Sequence, residues 1–490
     1  MDEPPQISTL PAMLHYAETH FRFPVSRLYR KEPDILIDTP FQIDPNVECP
    51  VWLISRNTDC YPVYINEIFG EWKNEKDEKI VFKIPFQKKL TEHFHFEELK
   101  FAKPPAGSGF YLLQIFIKYE IGEKTKICER WNYPFLHPKP IVVNFLREPQ
   151  PKPKNWVAGE THCHSNYTAD SIEFGASPAV LQKAAKALGL DFVCITDHSY
   201  DLLNDVNFQK LKKDVAELNS ANCDNTADKM PLLIAGEEIS CGSHRRENVH
   251  LLAYNNEHYV EGHGDGGRRW WNTSPDLTVA EAAKKVGSAC FAAHPKLEMM
   301  GVERLLLKRG HWHLDDILGI EGGGVEFWNG YRGRDFYEGR KLWIECLLRG
   351  HRILPWGGND AHGDLNSYVA LKKPLWSLKC NQEHIFGNVR TVLPNFPPTE
   401  SNLYITDGPA LHIEQVGNKC LLHAKSNADF GEFLSITLFK GERGKHFERT
   451  ISFSDNNFEF SLDDCLYARA ECETTFGKFA MTAAIYSPLA

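Results

Sequence analysis

The chain has 490 residues, a formal net charge of −10 and 13 cysteines. Its length allows two or three domains with separate cores. The acidic balance argues against nucleic-acid binding, since that function needs a surface of clustered lysine and arginine. The N-terminal residues lack the basic and apolar regions of a signal peptide, and no run of about twenty apolar residues occurs. Scattered cysteines without a C-x-x-C pair fit reduced thiols, so we expect a cytoplasmic protein that does not bind membranes.

Residues 1–146 are predicted to form an N-terminal β-rich module. Between residues 51 and 143, short runs of β-branched and aromatic residues alternate with turn-forming residues, which is typical of a sandwich of antiparallel strands. Alternating prolines at 147–154 favour an extended linker, and they mark the end of this module.

Residues 156–380 show a different period, in which short apolar strands alternate with helical patterns. One helix is predicted to begin at Ser177-Pro178, a capping side chain followed by proline in the first turn, and to end at Gly189. Repeated β-α units indicate an α/β domain with a largely parallel sheet, and their number favours a barrel. After a segment rich in asparagine and proline, residues 400–490 again read as short strands, which predicts a C-terminal β-sandwich module.

Three His-x-His pairs occur in the sequence, so this spacing alone does not identify a metal site. They are His93/His95, His162/His164 and His311/His313. Histidines two residues apart on a strand point to the same side and could bind one ion. The pair at His162/His164 is distinguished by its place on the first apolar strand of the α/β segment, because other potential ligands follow on the later strands.

Most apolar strands predicted in this segment are followed by His, Asp or Glu. In barrels of parallel strands, residues at the carboxyl ends of the strands gather to form the active site. Nitrogen and carboxylate ligands without thiolates suit Zn, Mn or Fe ions. The candidates number eleven, too many for one ion. They are His162, His164, Asp170, Asp197, His198, Glu237, Glu238, His250, His294, Asp360 and His362.

The order of these motifs resembles that of the PHP (polymerase and histidinol phosphatase) superfamily of metal-dependent enzymes. The matching stretches are 161–164 (Thr-His-Cys-His), 196–199 (Thr-Asp-His-Ser), 236–238 (Gly-Glu-Glu), His250, 293–295 (Ala-His-Pro) and 360–362 (Asp-Ala-His). The segments 326–330, 357–362 and 405–409 look similar to the carbaryl-hydrolase-like branch, which also carries a C-terminal β-module. The resemblance implies a distorted (β/α)7 barrel that holds two or three divalent metal ions, flanked here by the two β-modules.

The resemblance also implies which residues hold each ion. The first ion would be held by His162, His164, Glu238 and Asp360. The second would be held by Glu238, His250 and His294, with Glu238 bridging the two ions. The third would be held by Asp170, His198 and His362. Glu237 competes with Glu238 for the bridging role, and the register of the Gly-x-Glu motif favours Glu238, while Asp197 is expected to contact a ligand rather than an ion.

The predicted function is hydrolysis of an ester in a small-molecule substrate, by a hydroxide that bridges the metal ions. A phosphoester is favoured, and a carboxylester or carbamate is the alternative. The catalytic residues would be Glu238, Asp360 and His198, while Arg332 and Arg334 in a glycine-rich loop would bind an anionic substrate. Two other classes stay open: a binding protein that retains its metals without turnover, and a redox metalloenzyme.

Overall fold

The computed structural model describes most of the chain. The described residues are 32–45, 47–100, 104, 107–133, 138–168, 175–221, 229–266, 272–299, 301–320, 322–363, 365–366, 368–372, 377–381, 383–398, 402–442 and 444–488. Asp170 lies outside them, so the structure gives no position for this predicted ligand. Strands hold 43% of the described residues and helices hold 15%.

The N-terminal part forms two sheets packed face to face. Its strands are β1 (Asp34–Asp38), β2 (Gln42–Ile43), β3 (Trp52–Arg56), β4 (Val63–Asn74), β5 (Lys79–Leu90), β6 (Phe94–Glu98), β7 (Gly109–Ile121), β8 (Lys124–Glu129) and β9 (Ile141–Phe145). One sheet has the order β1-β3-β6, and the other has the order β2-β9-β7-β4-β5 with β8 beside β7. Alternate side chains of β4 and β7 point inward, and residues such as Ile65 and Ile117 share a core with Ile37 and Leu53 of the smaller sheet.

A 15-stranded sheet runs through the rest of the described chain. Its first half holds β10 (Val157–His164), β11 (Phe192–His198), β12 (Leu232–Gly242), β13 (Asn248–Tyr254), β14 (Cys290–Ala293), β15 (Gly324–Asn329), β16 (Leu354–Gly358) and the short β17 (Ala361–His362) beside β10. Strands β10 to β12 are parallel to one another, and so are β14 to β16. Strand β13 lies antiparallel between these two groups.

Short helices accompany these strands. In the described part of the chain they are α1 (Pro178–Ala187), α2 (Ser199–Leu202), α3 (Asp205–Ser220), α4 (Val279–Val286), α5 (Gly301–Leu306), α6 (Leu314–Leu318) and α7 (Arg334–Leu348). Helix α1 begins as predicted, because the Ser177 hydroxyl accepts a hydrogen bond from Val180 N and Pro178 occupies the first turn. No helix within the described ranges has both the length and the apolar character needed to cross a bilayer.

C-terminal strands extend the same sheet. Strand β20 (Arg390–Leu393) pairs antiparallel with β10, and it is followed in space by β21 (Tyr404–Thr406), β28 (Phe479–Thr482), β27 (Tyr467–Thr474), β24 (Phe433–Gly441) and β25 (Glu448–Phe453), with β29 (Ile485–Tyr486) beside β27. A separate sheet of β22 (Ala410–Val416), β23 (Lys419–Lys425) and β26 (Asn457–Ser461) packs against them in one core. Strands β18 (Tyr368–Lys372) and β19 (Ser377–Asn381) pair with each other.

The prediction of an α/β fold built on a distorted (β/α)7 barrel is wrong. The described chain is mostly β, the β12 and β13 strands pair antiparallel, and the sheet continues from β10 through β20 into the C-terminal strands. The error has a physical cause. A strand buried on both faces is apolar whether its neighbours are parallel or antiparallel, so apolar runs predict strands but not their direction.

One edge of the sheet collects the polar ends of the strands. His164 and His198 are the last residues of the parallel strands β10 and β11, and His294 directly follows β14. His250 lies near the beginning of β13, which runs in the opposite direction and therefore reaches the same edge. Strand direction thus places histidines from both parallel groups and from the antiparallel strand close together.

Candidate metal centre

His162 and His164 lie on one face of β10 and are fully buried. Their ring centroids are 5.3 Å apart. Cys163 between them points to the opposite face, where its Sγ lies 3.3 Å from Cys194 O within an apolar cluster. The sequence-based expectation that Cys163 packs in the core is therefore confirmed.

One carboxylate oxygen of Glu238 and one of Asp360 both lie near the Nε2 atoms of His162 and His164. Glu238 Oε2 lies 3.5 Å from His162 Nε2 and 3.4 Å from His164 Nε2. Asp360 Oδ1 lies 3.4 Å and 3.1 Å from the same two nitrogens. One atom from each of the four residues falls within 4.8 Å of the others, so a single divalent ion could contact all of them. These are the four residues implied for the first ion.

The other oxygen of Glu238 faces a second pair of histidines. Glu238 Oε1 lies 2.6 Å from His250 Nδ1 and 2.9 Å from His294 Nε2. One carboxylate therefore reaches both implied ligand sets, as a bridging ligand must. Glu237, the competing candidate, points to the other face of β12, where Val260 N donates a hydrogen bond to its Oε1 at 3.0 Å. The strand geometry directs Glu238, and not Glu237, toward these histidines. Glu238, the histidines around it and Asp360 are called the Glu238 cluster, or simply the cluster.

The residues implied for a third ion are brought together in part. His198 and His362 both approach His164, and the three rings offer one nitrogen each within 4.8 Å of the others. The rings of His164 and His362 stack with their centroids 4.0 Å apart. His198 Nδ1 also lies 2.8 Å from Glu238 Oε2. His198 can therefore serve either the ion at Glu238 or a third ion, for which Asp170 stays a prediction.

Two of the potential ligands adopt left-handed backbone conformations. Asp360 has a φ of 53° and His294 has a φ of 29°. Such conformations cost on the order of 1 kcal/mol in residues with a β-carbon, and they persist where the surroundings impose them. Strand β10 holds Asp360 in this conformation, because the backbone N–H of Asp360 donates a hydrogen bond to His162 O at 2.8 Å. The backbone strain at these positions supports a functional role for both side chains.

The donors of the cluster fit a divalent metal ion. His162 Nε2 and Glu238 Oε2 are buried, and among the described residues they have no hydrogen-bond partner of acceptable geometry. Buried polar atoms in that state cost about 1–3 kcal/mol each. A cation between them would satisfy both atoms, and a set of imidazoles and carboxylates without thiolates suits Zn, Mn or Fe ions.

The charges within the cluster stabilise one another. Burial disfavours a charged imidazole, yet the carboxylates of Glu238 and Asp265 raise the pKa of His250 to about 9. Burial likewise opposes ionisation of Glu238, but His250 and His198 hold the pKa of this carboxyl well below its usual range. Histidine binds metals in its neutral form, so metal binding here should release protons and weaken as the pH falls.

Two further buried carboxylates, which are absent from the potential ligands predicted from the sequence, lie behind the histidines. Glu326 Oε2 is 2.9 Å from His162 Nδ1, and Asp265 Oδ2 is 2.9 Å from His250 Nε2. In both cases the other ring nitrogen faces Glu238, which is the arrangement that orients metal-binding histidines. Glu326 lies on β15 and could have been found by its position on that strand. Asp265 follows β13 in a glycine-rich loop, and no sequence signal marks it.

Asp197 supports the loop that follows His164. It accepts hydrogen bonds from Ser165 N at 2.7 Å and from Thr168 Oγ1 at 2.8 Å. Thr168 Oγ1 in turn lies 3.3 Å from His164 Nδ1. Asp197 therefore reaches His164 through Thr168 and not directly, and its predicted contact with a metal ligand stays a prediction.

Asp265→Asn should weaken divalent-metal binding by about 10- to 100-fold, the usual effect of losing a carboxylate behind a metal-binding histidine. The Asp265 carboxylate also accepts hydrogen bonds from Ser240 Oγ at 2.7 Å and Arg309 Nε at 2.6 Å. An asparagine amide would carry no negative charge, and its NH₂ group would face one of these two donors. The measurement is Zn²⁺ affinity by competition with a chromogenic chelator. Asp316→Asn is the control, because Asp316 pairs with His244 at 3.0 Å outside the cluster. Equal affinities in wild type and Asp265→Asn would contradict the role.

The other two His-x-His pairs make different contacts. The first pair lies at the start of β6 in the N-terminal sandwich, where His95 Nε2 is 3.0 Å from Glu97 Oε2. The third pair precedes α6, where His311 Nε2 is 3.1 Å from Leu297 O. Within the described ranges, neither pair contributes to a group of three potential metal ligands. The tertiary structure therefore separates His162/His164 from two pairs with identical spacing.

The two arginines predicted to bind an anionic substrate make contacts elsewhere. Arg332 Nη2 donates to Glu473 Oε1 at 3.1 Å and to Gly477 O at 2.7 Å, both from the C-terminal strands. Arg334 is exposed at the first residue of α7. No contact in the described structure brings either guanidinium to the histidine cluster, and their role in substrate binding stays a prediction.

A different arginine, Arg309, lies beside the cluster. It lines a small cavity of about 20 Å³ together with His250, His294 and Asp265, and its guanidinium is partly exposed. Arg309 follows α5 and lies on none of the strands, so strand-end reasoning does not select it. A backbone bridge to Asn248 at the start of β13 holds it there. This pairing is visible only in the tertiary structure.

Comparison with known proteins identifies no family for the chain. No protein-family model matches it, and no curated protein sequence does. Among solved structures, a β-D-mannosidase from Dictyoglomus thermophilum superposes with a TM-score of 0.22 and 10% identity, over 93% of this chain and 67% of the mannosidase. A β-glucuronidase from Parabacteroides merdae superposes with a TM-score of 0.19 and 11% identity, over 94% of this chain and 64% of the glucuronidase. At these scores the superpositions establish no shared fold.

Proposed function

We propose that the protein is a divalent-metal-dependent hydrolase of small-molecule esters, with phosphoesters as the favoured substrates. The observation that carries the proposal is the buried Glu238 carboxylate, whose two oxygens face different histidines: His162 and His164 at Oε2, and His250 and His294 at Oε1. Divalent ions, when bound to such a set, supply a nucleophile at neutral pH by lowering the pKa of water and polarise the scissile P=O or C=O bond.

The residues of the chain divide into those that would hold the ions and those that would orient them. One ion would be held by His162, His164, Glu238 and Asp360, and a second by Glu238, His250 and His294. Glu326 and Asp265 would keep the rings of His162 and His250 turned toward Glu238. Because the residues that would hold the ions lie on hydrogen-bonded strands of one sheet or directly follow them, the ligand set is organised before any substrate arrives.

The preference for phosphoesters rests on Arg309. Its side chain lines the small cavity beside His250 and His294, and its Nε donates a hydrogen bond to Asp265 Oδ2 at 2.6 Å. A guanidinium next to the proposed ions would contact phosphate oxygens in a charge-assisted way. A neutral carboxylester or carbamate offers no negative charge to this group.

Arg309→Ala should raise KM for p-nitrophenyl phosphate by about 10- to 100-fold, since a hydrogen bond to a charged group contributes about 1.5–3 kcal/mol. Hydrolysis of p-nitrophenyl acetate should change less than threefold. Steady-state kinetics on both substrates measure this difference. Arg309→Lys retains the charge and should recover part of the loss, whereas Arg340→Ala, with its guanidinium 3.0 Å from Glu471, is the control. Equal effects of Arg309→Ala on both esters would remove the argument for phosphoesters.

The proposed function is tested by metal quantification and a substrate panel on the purified protein. Wild type and His162→Ala are compared for bound Zn, Mn and Fe, and then for hydrolysis of a phosphomonoester, a phosphodiester and a carboxylester. We expect bound metal and turnover in the wild type and loss of both in His162→Ala. Metal-loaded wild type that is inert on the whole panel would favour a binding protein instead. Activity that survives anaerobically with zinc, which has no redox chemistry, would exclude a redox enzyme.

A further inference from the structure

A second group of potential metal ligands lies in the C-terminal part of the chain. His412 and Glu414 belong to β22, and His423 belongs to β23. Each residue offers one ligand atom, and the three atoms lie within 4.8 Å of one another. None of these residues takes part in the Glu238 cluster.

Strand pairing brings the three side chains to one face of the sheet. His412 is directly opposite His423 in the antiparallel register, and Glu414, two residues further along β22, points to the same face. The two rings stack with centroids 4.7 Å apart and an interplanar angle of 15°. The stacked rings thus lie side by side, and each offers a nitrogen within 4.8 Å of a Glu414 carboxylate oxygen.

The carboxylate of Glu414 reaches both rings at a spacing that suits a shared ion. Glu414 Oε1 lies 3.8 Å from His412 Nε2, and Glu414 Oε2 lies 3.6 Å from His423 Nε2. These separations are too long for hydrogen bonds. Two ligands of a tetrahedral zinc ion stand about 3.4 Å apart, given bonds of about 2.0–2.1 Å. The gap between the carboxylate and the rings is therefore of the right size for a cation.

A neighbouring strand sets the tautomer of one ring. His423 Nδ1 lies 2.9 Å from Asn457 Oδ1 on β26. An amide oxygen only accepts hydrogen bonds, so Nδ1 carries the proton and the lone pair is on Nε2, the atom that faces Glu414. His423 Nε2 is buried and has no hydrogen-bond partner among the described residues. Trp156 flanks the site, with its ring centroid 5.5 Å from that of His412.

We propose that His412, Glu414 and His423 bind a divalent cation of the Zn²⁺ type, separate from the Glu238 cluster. Two imidazoles and one carboxylate are ligands that zinc accepts. The Glu414 side chain is 63% exposed, so the ion can enter from solvent and retain water at its open position. The bound ion ties β22 to β23 and stabilises the C-terminal sheet.

The test counts zinc equivalents in the full-length protein, dialysed against low-micromolar ZnCl₂, with and without His423→Ala, in both the wild-type and the Glu238→Gln background. We expect His423→Ala to lose one equivalent in each background. Glu414→Gln, a change at an exposed side chain that leaves the fold intact, should raise the dissociation constant of this equivalent at least tenfold. Zn²⁺ should also raise the thermal midpoint of Glu238→Gln, but not that of the double variant Glu238→Gln/His423→Ala.

A second histidine pair provides the matched control. The rings of His244 and His313 are 4.9 Å apart, but His244 Nδ1 already bonds Asp316 at 3.0 Å. His244→Ala should therefore leave the zinc count unchanged. An unchanged count in His423→Ala in either background, or equal zinc affinity in wild type and Glu414→Gln, would overturn the proposal. Because both backgrounds are compared, this outcome is independent of whether the Glu238 cluster catalyses hydrolysis.

Discussion

Glu238→Gln is expected to lose the metal bound at the cluster and to lower kcat/KM for the best ester substrate by about 10³-fold or more, equivalent to about 4 kcal/mol of transition-state stabilisation. The carboxylate is buried, and its two oxygens face histidines on β10, β11 and β13 and directly after β14. An amide has no charge and only one oxygen, so it cannot bridge two cations. Metal quantification and steady-state kinetics on the same preparation measure both effects.

Glu237→Gln is the matched control for this change. Glu237 is equally buried and adjacent in the chain, but its carboxylate lies on the other face of β12, where Val260 N bonds it. We expect full metal content and activity within a few-fold of wild type. The opposite result, with metal lost in Glu237→Gln and retained in Glu238→Gln, would show that the bridging role had been given to the wrong glutamate.

Glu160→Gln is expected to destabilise the protein by about 3–5 kcal/mol and to weaken metal binding as well. Glu160 is fully buried on β10. Its Oε1 accepts hydrogen bonds from His162 N at 3.0 Å and Asn359 N at 3.1 Å. Its Oε2 accepts from Asn359 Nδ2 at 2.5 Å and Gly387 N at 2.8 Å. Either orientation of a glutamine amide sets its NH₂ group against two donors, and each buried donor left without an acceptor costs about 1–3 kcal/mol.

The effect of Glu160→Gln should extend to the metal centre because its partners adjoin the ligands. His162 is itself a potential ligand, and Asn359 precedes Asp360, whose backbone N–H bonds His162 O. Urea unfolding measures the stability change, and chelator competition measures the affinity. Glu237→Gln again serves as the control, because the donors of Glu237 converge on one oxygen and an amide can satisfy them. Equal stability of the two variants would contradict the four-donor argument.

Ligand type and position on a strand are local properties, and they were sufficient to select most of the cluster. The sequence marks His162, His164, Glu238 and Asp360 as potential ligands, and the structure brings one atom of each within 4.8 Å of the others. The N-cap of α1 at Ser177 was equally local, because it depends on neighbouring residues alone. The alternation of apolar and turn-forming residues also located most strands. These features needed no knowledge of the tertiary structure.

Strand direction and contacts across the sheet were decided only by the tertiary structure. Apolar runs do not record which way a buried strand points, so they predict neither the antiparallel β13 nor the continuation of the sheet through β20, and the predicted barrel is wrong. Asp265 and Arg309 reach the cluster from loops, through contacts between residues far apart in sequence. The pairing of His412 with His423 likewise depends on the register of β22 and β23. Side-chain chemistry is encoded residue by residue, whereas these juxtapositions are set by packing of the whole chain.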